Sequence, residues 1–564
     1  MGRLIRVGLA LKRISFSWWL LPILVGGAAG LIASAINYLV IDAWETFYAD
    51  ALKTPTLFFI FPFTGLALSY FLVHLLAWYR TPKSSFHNIL EAFHLTPQGI
   101  TMRESMVKTA SSLSTAIFGG SAGPEGPATM LSGGVSVWLS KALGIKMEPG
   151  KALMIGVAAG FSAAFKTPLA GVLFALELPY RRDLEKDPFI EAAIASSTAY
   201  LVAVASNAPS LLPGLVLEVG TLSMVMLPVS MVFGLLTGGV VIIFTWLYHA
   251  GEGLTKRLMT LGGYPLMLIV GGAGLGAIGY FSPAAVGPGF QMIPVISGGS
   301  LVAILMLLAL KPVSTTLTMN FGGTGGLFLP TLLIGGAWGA AFSYLFSPTL
   351  APVFILMGMA AFSSGVHKMM ITPIIFVAEV FGANTIIHII LATVVTFFLT
   401  GEAPFYPSQP LNKLSEEELA LERLYYKVSR SKPRELARLR AADVMTQNPI
   451  RLRRSLSVRQ AFDEFGKTPY RLMPVVDDED RLLGYVTLED LAFLSRTVLD
   501  TRLEEAGLQT PLVFREGDPV TRVIEEMIDR EEDHCFVVGD RGELTGIIST
   551  IDLARLLLSY YTVD

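Results

Sequence analysis

A glutamate inside an apolar stretch constrains this chain more than any other feature. Residues 119–127 read GGSAGPEGP, with apolar segments on both sides. A carboxylate at the centre of a membrane helix costs about 2.5–3.5 kcal/mol, so Glu125 needs a compensating partner. Glycines permit a sharp turn with exposed amides, and Pro127 suits the first turn of a helix. The stretch predicts Glu125 at a helix N-terminus, which favours a carboxylate or a small anion in its place. The alternative is a plain loop between helices.

A second stretch of the same kind lies further along the chain. Residues 322–330 read GGTGGLFLP, and the final proline lies 203 residues after Pro127 (330 − 127). In both halves a Thr-Pro pair then precedes a glutamate, within residues 167–177 and within residues 372–379. Apolar segments broken by Gly and Pro at matching positions indicate a transporter-type duplication with its ion site between the broken helices.

Composition places the chain in a membrane. Of its 564 residues 52% are hydrophobic and 15% charged, with a mean hydropathy of +0.57. These values are too apolar for a soluble protein, and the length allows a bilayer domain plus a soluble one. The net charge of −3 argues against a nucleic-acid partner. Cys535 is the only cysteine, so a disulfide within the chain and a cysteine metal site are excluded.

Several function classes lack their motifs. The seven histidines show no metal-ligand spacing, and neither HExxH nor GxSxG occurs. We therefore expect no enzymatic activity and no bound metal. A divalent-cation transporter would need several acidic residues facing a pore, and the apolar segments supply too few.

The apolar runs predict a polytopic helical protein of the cell membrane. Basic residues within 3–13 precede an apolar run over residues 16–41, longer than the hydrophobic region of a signal peptide. The flanking positive charge predicts a cytoplasmic N-terminus, and we expect the C-terminus on the same side. Several later runs are too short or too interrupted for one straight helix of about 20 residues. Irregular backbone at that depth requires surrounding protein or a water-filled cavity.

The composition changes near residue 410. Residues 411–440 interleave charged residues with leucines, which predicts one or two amphipathic connector helices divided at Pro433. Residues 441–564 form a second duplication at an offset of 62, with units at about 441–500 and 503–564. Each unit reads as loop, amphipathic helix, β run, turn, β run and helix, which predicts an α+β domain. The helices are predicted at Val458–Phe465 and Val520–Met527, and Cys535 as a buried strand residue.

The motifs resemble those of a known family. Residues 123–127 resemble the GxEGP motif of the CLC family of chloride channels and chloride/proton exchangers, and residues 326–330 match its GxFxP motif. Residues 404–406 fall where the family's pore tyrosine lies, and the resemblance spans roughly residues 15–410. It implies an all-α membrane domain over 1–410, built as an inverted repeat of tilted and broken helices. It also implies a homodimer in the lipid bilayer with one pore per subunit for chloride or a related small anion.

The resemblance assigns roles to particular residues. Glu125 becomes the gate, an anion mimic that blocks the pore until it is protonated or displaced by chloride; the alternative is a purely structural cap. The family's first motif, GSGxP, is degraded here and is best placed at residues 83–87. Leu327 and Phe328 would offer backbone amides, and Tyr406 a hydroxyl unless it is an interfacial tyrosine. The residues predicted to bind the anion are Ser84, Gly123, Pro124, Gly126, Leu327, Phe328 and Tyr406.

Leu178 decides between two kinds of transport. Exchangers of the family commonly carry Glu-Glu where this chain has Glu177 and Leu178, and the second acid relays protons from inside. Leucine cannot hold a proton. We therefore expect passive, channel-like chloride conduction gated by Glu125, and the alternative is a chloride/proton antiporter with a different inner proton path.

The duplicated tail looks like a tandem pair of CBS domains, a regulatory module of many CLC proteins. Thr487 with Asp490 and Ser549 with Asp552 match the [ST]-x-x-D pattern of nucleotide-binding CBS domains. In that family the hydroxyl meets phosphate and the aspartate receives the ribose hydroxyls. The resemblance implies an adenine nucleotide (ATP, ADP or AMP) at the CBS pair and no other cofactor; the alternative is a capping box without a ligand.

Overall fold

In the part of the chain that the structure describes, the apolar, glycine-interrupted segment folds as helices and loops. The computed structural model describes residues 16–77, 83–96, 99–212, 224–413, 416–468, 470–488, 490–491, 501–505, 507–530 and 532–561. The chain divides into two units, Met1–Lys413 and Leu414–Asp564. The basic residues 3–13, on which the orientation of the N-terminus was predicted, lie outside the described residues.

The first half of the membrane unit consists of helices of very different length. Several are shorter than the bilayer requires, as the Gly/Pro interruptions predicted. The helices are α1 (Phe16–Lys53), α2 (Leu57–Leu76), α3 (Ser85–His94), α4 (Met102–Ile117), α5 (Glu125–Ala142), α6 (Pro149–Phe165), α7 (Pro168–Glu177) and α8 (Phe189–Ala205).

The second half repeats this pattern. Its first helix is interrupted at Gly263, whose φ of 66° leaves the helical region. The helices are α9 (Leu227–Phe281), α10 (Met292–Gly298), α11 (Leu301–Asn320), α12 (Phe328–Ser343), α13 (Ala351–His367), α14 (Ile371–Phe381) and α15 (Ile386–Leu399). Among the described residues five helices are long and apolar enough to cross a membrane, and six apolar helices have only 10–17 residues. The predicted all-α membrane domain with broken helices is confirmed.

The two halves share local backbone geometry as well as helix order. Lys166 ends α6 and Lys368 ends α13, and both residues adopt the left-handed conformation, with φ of 60° and 57°. In each half the chain then turns into a short helix, α7 or α14. The sequence repeat is therefore a structural repeat.

The second unit contains the α+β tandem predicted from the offset of 62. It begins with the amphipathic helix α16 (Glu416–Ser431), and α17 (Pro433–Leu436) follows after the predicted division. Leu421 and Val428 of α16 are buried in the core of this unit. Its other helices are α18 (Ala441–Val444), α19 (Val458–Gly466), α20 (Val520–Arg530) and α21 (Thr550–Tyr561).

Two small sheets complete this unit. One has the order β2-β3-β4 and the other β1-β7-β6-β5, and in each a parallel pair adjoins an antiparallel pair. Cys535 is buried within β6, as predicted. The strands are β1 (Thr446–Gln447), β2 (Leu452–Arg453), β3 (Leu472–Val476), β4 (Leu482–Thr487), β5 (Val513–Arg515), β6 (His534–Val538) and β7 (Leu544–Ser549).

Glycines permit close packing of α12 against α13 in the membrane unit. A Cβ atom added at Gly339 would overlap the backbone carbonyl of Phe354, and one added at Gly335 would overlap that of Gly358. Without side chains between them, the two backbones approach directly, which is a recurrent means of helix association in lipid. This packing holds α12, which follows directly after the second glycine-rich loop, in a fixed position.

We expect Gly339→Ala to destabilise the protein by about 1–3 kcal/mol, because the added methyl group meets a backbone atom that cannot rotate away. Gly239→Ala is the matched control, since a Cβ at this helical glycine meets nothing within 4 Å. The fraction of monodisperse protein remaining after heating in detergent measures the difference. Equal midpoints for the two variants would contradict the packing argument.

Candidate functional site

The two glycine-rich loops meet through their backbones. The Gly123 amide donates to the Gly326 carbonyl over 2.9 Å, and the Gly326 amide donates to the Gly123 carbonyl over 3.1 Å. The pairing is antiparallel, and the two residues are 203 positions apart (326 − 123). Polar backbone groups inside a bilayer must be satisfied within the protein. Each loop therefore supplies a hydrogen-bond donor and an acceptor to the backbone of the other loop.

Two hydroxyl groups fix the loops in a reciprocal manner. The Ser121 amide donates to Thr318 Oγ1 over 2.8 Å, and the Thr324 amide donates to Thr115 Oγ1 over 3.1 Å. Thr115 precedes the first loop and binds the second, whereas Thr318 precedes the second loop and binds the first. Both exchanges occur at the same offset of 203 residues (318 − 115; 324 − 121).

This arrangement brings two helix N-termini together on Glu125. The glutamate is the first residue of α5 and is fully buried. Its Oε1 accepts a hydrogen bond of 3.1 Å from the Leu329 amide in the first turn of α12, and the Phe328 amide is also directed at the carboxylate. Among the described residues its Oε2 has no partner. The predicted position at a helix N-terminus is confirmed, and two positive helix ends act on one carboxylate.

Glycine is required around this carboxylate for steric reasons. A Cβ atom added at Gly123 or at Gly326 would overlap the Glu125 carboxylate, and one added at Gly126 would overlap the backbone of Gly326. Pro124 is the N-cap of α5 and adopts helical angles, with φ of −73°. These residues therefore shape a tight pocket for a carboxylate or an anion of similar size.

Tyr406 lies in the same region but is already hydrogen-bonded. It is buried, and its hydroxyl lies 2.8 Å from Nδ1 of His367, the last residue of α13. The other ring nitrogen, Nε2, lies 3.0 Å from Thr331 Oγ1. The Phe328 ring stacks on the His367 ring at 5.7 Å. The sequence assigned Phe328 a backbone role only, and the position of its side chain was not predicted.

The serines at the start of α3 divide their roles. Ser84 is buried and is the N-cap of α3, where its Oγ accepts a 3.3 Å hydrogen bond from the His87 amide. Ser85 is the residue beside the paired loops: its amide donates to the Gly325 carbonyl over 2.9 Å, and its Oγ faces Gly126. Direct binding of an anion by Ser84 stays a prediction.

Glu177 serves as a helix cap. Its carboxylate accepts hydrogen bonds from the amides of Met370, Ile371 and Thr372, at 2.5–3.1 Å, and from the Thr372 hydroxyl at 2.6 Å. These amides belong to the N-terminus of α14. Glu379 near the end of α14 in turn accepts from the amides of Leu169 and Ala170 at the start of α7.

The two short helices thus cap each other across the repeat. Leu178 follows Glu177 and is fully buried, with its carbonyl accepting from the Gln409 side chain over 2.9 Å. The residue types at the ends of α7 and α14 are visible in the sequence. The partners are not, because they lie about two hundred residues away.

Comparison with known families identifies the membrane unit. Residues 65–401 match the family model described as voltage gated chloride channel. The chain belongs to this family, the CLC family. Residues 441–496 and 508–559 match the CBS domain model. The resemblance of both parts of the chain is therefore confirmed.

Curated CLC relatives from bacteria share about a quarter of their aligned residues with this chain. One is the "H(+)/Cl(-) exchange transporter ClcA" of Salmonella paratyphi A, 28% identical over 330 residues, which cover 52% of this chain and 66% of the relative. The protein of the same name from Klebsiella pneumoniae is 28% identical over 338 residues, covering 55% of this chain and 70% of the relative. The match to the Salmonella protein thus spans just under two thirds of that relative.

Solved structures share the fold. A CLC-type fluoride/proton antiporter superimposes with a TM-score of 0.59 at 23% identity, covering 70% of this chain and 97% of that one. A eukaryotic CLC transporter superimposes with a TM-score of 0.60 at 16% identity, covering 95% of this chain and 97% of that one. These similarities establish the architecture of this CLC protein.

The capping role of Glu177 predicts a loss of stability on truncation. Glu177→Ala leaves amides at the partly buried N-terminus of α14 without an acceptor, and each group that stays buried and unsatisfied costs about 1–3 kcal/mol. We expect a clearly lower thermal midpoint in detergent, with partial recovery in Glu177→Gln, which keeps one acceptor oxygen. Glu402→Ala, which removes an exposed ion pair with Arg182, is the control. A midpoint for Glu177→Ala equal to this control would show that the cap is dispensable.

Proposed function

We propose that this CLC protein exchanges chloride for protons across the membrane. The observation that carries the proposal is Glu125, a buried carboxylate shared by two helix N-termini, with Oε1 bonded to the Leu329 amide and Oε2 without a partner among the described residues. A titratable group thus occupies the kind of site that binds anions. Chloride and the ionised carboxylate would compete for the same amides.

This competition between chloride and the Glu125 carboxylate supports coupling between chloride movement and proton uptake. Chloride that takes the position of the carboxylate leaves a buried glutamate without its donors, and a buried charge without donors is costly unless it is neutralised by a proton. Proton uptake by Glu125 therefore accompanies anion entry. Backbone amides are neutral donors, so the anion is held weakly enough to leave again.

The relatives named as H(+)/Cl(-) exchange transporters favour exchange over the passive conduction predicted from Leu178. Leu178 is buried and apolar, and the neighbouring Glu177 is bound to the N-terminus of α14. An exchanger built on this chain must therefore move protons through a group other than these two. Passive conduction of chloride is the competing function. Simultaneous measurement of chloride and proton flux distinguishes a channel from an exchanger.

We expect purified protein in liposomes to take up protons against their gradient when chloride flows out, with the membrane potential clamped by potassium and valinomycin. In Glu125→Gln the side chain no longer titrates and competes less strongly for the amides. Chloride efflux should continue in this variant, while proton uptake falls to the level of empty liposomes. Chloride and proton fluxes are recorded together with electrodes, and fluoride replaces chloride in a second series.

Glu402→Gln, an exposed acid far from the paired loops in sequence, is the control and should retain coupled uptake. Chloride efflux without proton uptake in the unmodified protein would establish the channel. If Glu125→Gln takes up protons with the same chloride-to-proton ratio as the unmodified protein, Glu125 has no part in the coupling.

A cavity in the CBS unit supports a second proposal, that an adenine nucleotide binds there. The cavity has a volume of about 390 Å³, within the range of small-molecule sites. Ser549 and Asp552 line it together with Tyr470, and the cations Arg471 and Arg555 suit a phosphate group. An aromatic ring, cations and an aspartate are the groups that a base, a phosphate and a ribose require.

The two [ST]-x-x-D pairs have the same local geometry but different surroundings. Thr487 Oγ1 donates to Asp490 Oδ2 over 2.7 Å, and Ser549 Oγ donates to Asp552 Oδ2 over 2.7 Å. In both pairs the amide of the first residue also donates to the aspartate, and the amide of the aspartate donates back to the hydroxyl, which is the pattern of a capping box. Partial burial opposes ionisation of Asp490, but hydrogen bonds from Thr487 and Gln509 outweigh it, so the pKa of Asp490 lies below its ordinary value. Only the second pair lines the 390 Å³ cavity.

We expect the full-length protein to bind ATP, ADP or AMP, measured by calorimetry in detergent. Asp552→Ala should weaken binding at least about tenfold, as expected for the loss of a charged hydrogen-bonding group worth about 1.5–3 kcal/mol. Asp490→Ala removes the equivalent cap outside the cavity and is the matched control. No heat with any of the three nucleotides, or equal losses in both variants, would assign the pairs to helix capping alone.

The assembly implied by the family is also proposed: a homodimer in the lipid bilayer, with both termini in the cytoplasm. Large apolar side chains are exposed on α8, among them Phe189, Ile190 and Leu201. Contiguous apolar surface requires lipid or another subunit as its covering. Chemical cross-linking of the protein in membranes and protease protection of the termini test these two statements.

A further inference from the structure

His367 is a buried titratable group to which the proposed exchange of chloride for protons gives no role. It ends α13 and is fully buried. Its ring stacks on Tyr406 at 5.8 Å and on Phe328 at 5.7 Å, and meets the edge of Phe86 at 5.9 Å. A ring enclosed on three sides beside the candidate anion site is held in one orientation, so its hydrogen bonds are directional.

The hydrogen-bond partners of His367 are the basis on which we assign its proton to one ring nitrogen. The Thr331 hydroxyl donates its single proton to the Phe328 carbonyl over 2.8 Å. The Thr331 oxygen also lies 3.2 Å from Ser363 Oγ and 3.0 Å from His367 Nε2. Since the Phe328 carbonyl can only accept, we assign the Thr331 proton to that bond and the His367 proton to Nε2. A neutral imidazole has one N–H, so Nδ1 is an acceptor, and the Tyr406 hydroxyl donates to it over 2.8 Å.

The direction of the hydrogen bond between Tyr406 and His367 determines whether the Tyr406 hydroxyl can donate to an anion. While Tyr406 donates to His367, its hydroxyl proton is not available to an anion, and its oxygen presents lone pairs instead. When Nδ1 carries a proton, the direction reverses: Nδ1–H donates to the Tyr406 oxygen, and the hydroxyl proton is free to turn towards the anion. Tyr406 lies within electrostatic reach of the Glu125 carboxylate, where the anion would compete.

We propose that His367 is a positioning residue that takes up a proton when the anion binds Tyr406. A proton from water adds to the Nδ1 lone pair, no other covalent bond changes, and the proton returns to water when the anion leaves. The imidazolium and the anion then form a pair, which avoids burial of either charge alone. This inference rests on the proposed exchange and adds to it a proton-binding group that Leu178 does not provide.

Apart from Tyr406 and Glu125, the titratable groups around His367 form their hydrogen bonds with groups other than His367. His87 on α3 contacts Lys83 and Glu91, and its ring also meets the Tyr406 ring edge-on at 6.4 Å. Glu177 caps α14. Lys368, the next residue, donates to the Thr400 and Gly401 carbonyls.

Among the described residues, no hydrogen bond joins His367 to Tyr248, Glu379 or His388 on the neighbouring helices. On α9, Tyr248 packs on Phe405. On α14, Glu379 binds the amides of α7. His388 lies at the start of α15, at the opposite end from Thr400.

The test measures chloride binding to the full-length protein in detergent by calorimetry, across about pH 5 to 8, where histidine changes charge. Glu125→Gln is the background, so that Glu125 itself does not titrate. One linked proton changes the chloride Kd by up to about tenfold per pH unit. We expect tighter binding at lower pH in Glu125→Gln, and less than about twofold change over the whole range in Glu125→Gln/His367→Asn.

Glu125→Gln/His249→Asn is the control, since His249 is exposed and bonded to the Thr245 carbonyl of its own helix. It should keep the slope of Glu125→Gln. An equal slope with and without His367 overturns the proposal. If His367→Asn abolishes chloride binding at every pH, Tyr406→Phe in the same background decides: a slope at most half that of Glu125→Gln supports the proposal, and an undiminished slope overturns it.

Failure of this inference and failure of exchange are separate results. Proton uptake in liposomes by the unmodified protein tests exchange, whereas the pH slope in detergent tests His367. Coupled uptake together with an unchanged slope in the His367 variant would retain the exchanger and reject His367. A lost slope together with absent proton uptake would retain His367 as a proton-binding partner of the anion site in a channel.

Discussion

The membrane unit depends on two backbone hydrogen bonds, those between Gly123 and Gly326. Loops at this depth have no water to satisfy them, so each must find donors and acceptors in protein. Pairing the loops with each other solves this and also directs the N-termini of α5 and α12 to one point. Because side chains at these glycines would overlap the Glu125 carboxylate, the close approach of the loops and the proposed anion site are consequences of the same residues.

The repeat distributes acidic residues between two tasks. Glu177 and Glu379 each cap the short helix of the other half, which secures α7 and α14 although neither is long enough to cross the bilayer. Glu125 faces two helix ends but uses only one carboxylate oxygen in hydrogen bonds among the described residues. A carboxylate with hydrogen bonds to both oxygens stabilises the fold. A carboxylate with a hydrogen bond to only one oxygen can more easily be displaced by an anion. This difference separates the structural acids from the acid that we assign to transport.

Local sequence predicted what is local. The glycines and prolines of both loops placed Glu125 at a helix start, and the offset of 62 gave the strands and helices of the CBS units. The partner of Glu177 was beyond reach, because an acid at a helix end looks the same whether it relays protons or caps a helix 193 residues away. The contact of His367 with Tyr406 and the cavity beside Asp552 likewise arise from tertiary packing. Ser85 lies next to the loops although the degraded motif indicated Ser84.

The central claim is that Glu125 and the transported anion occupy one site between the two helix N-termini. Bromide substitutes for chloride and scatters X-rays anomalously, so crystals of Glu125→Gln grown in bromide test it directly. The account predicts an anomalous peak within hydrogen-bond distance of the Leu329 amide, where the Glu125 carboxylate lies in the unmodified protein. Bromide peaks at other positions with none at the Leu329 amide would contradict it.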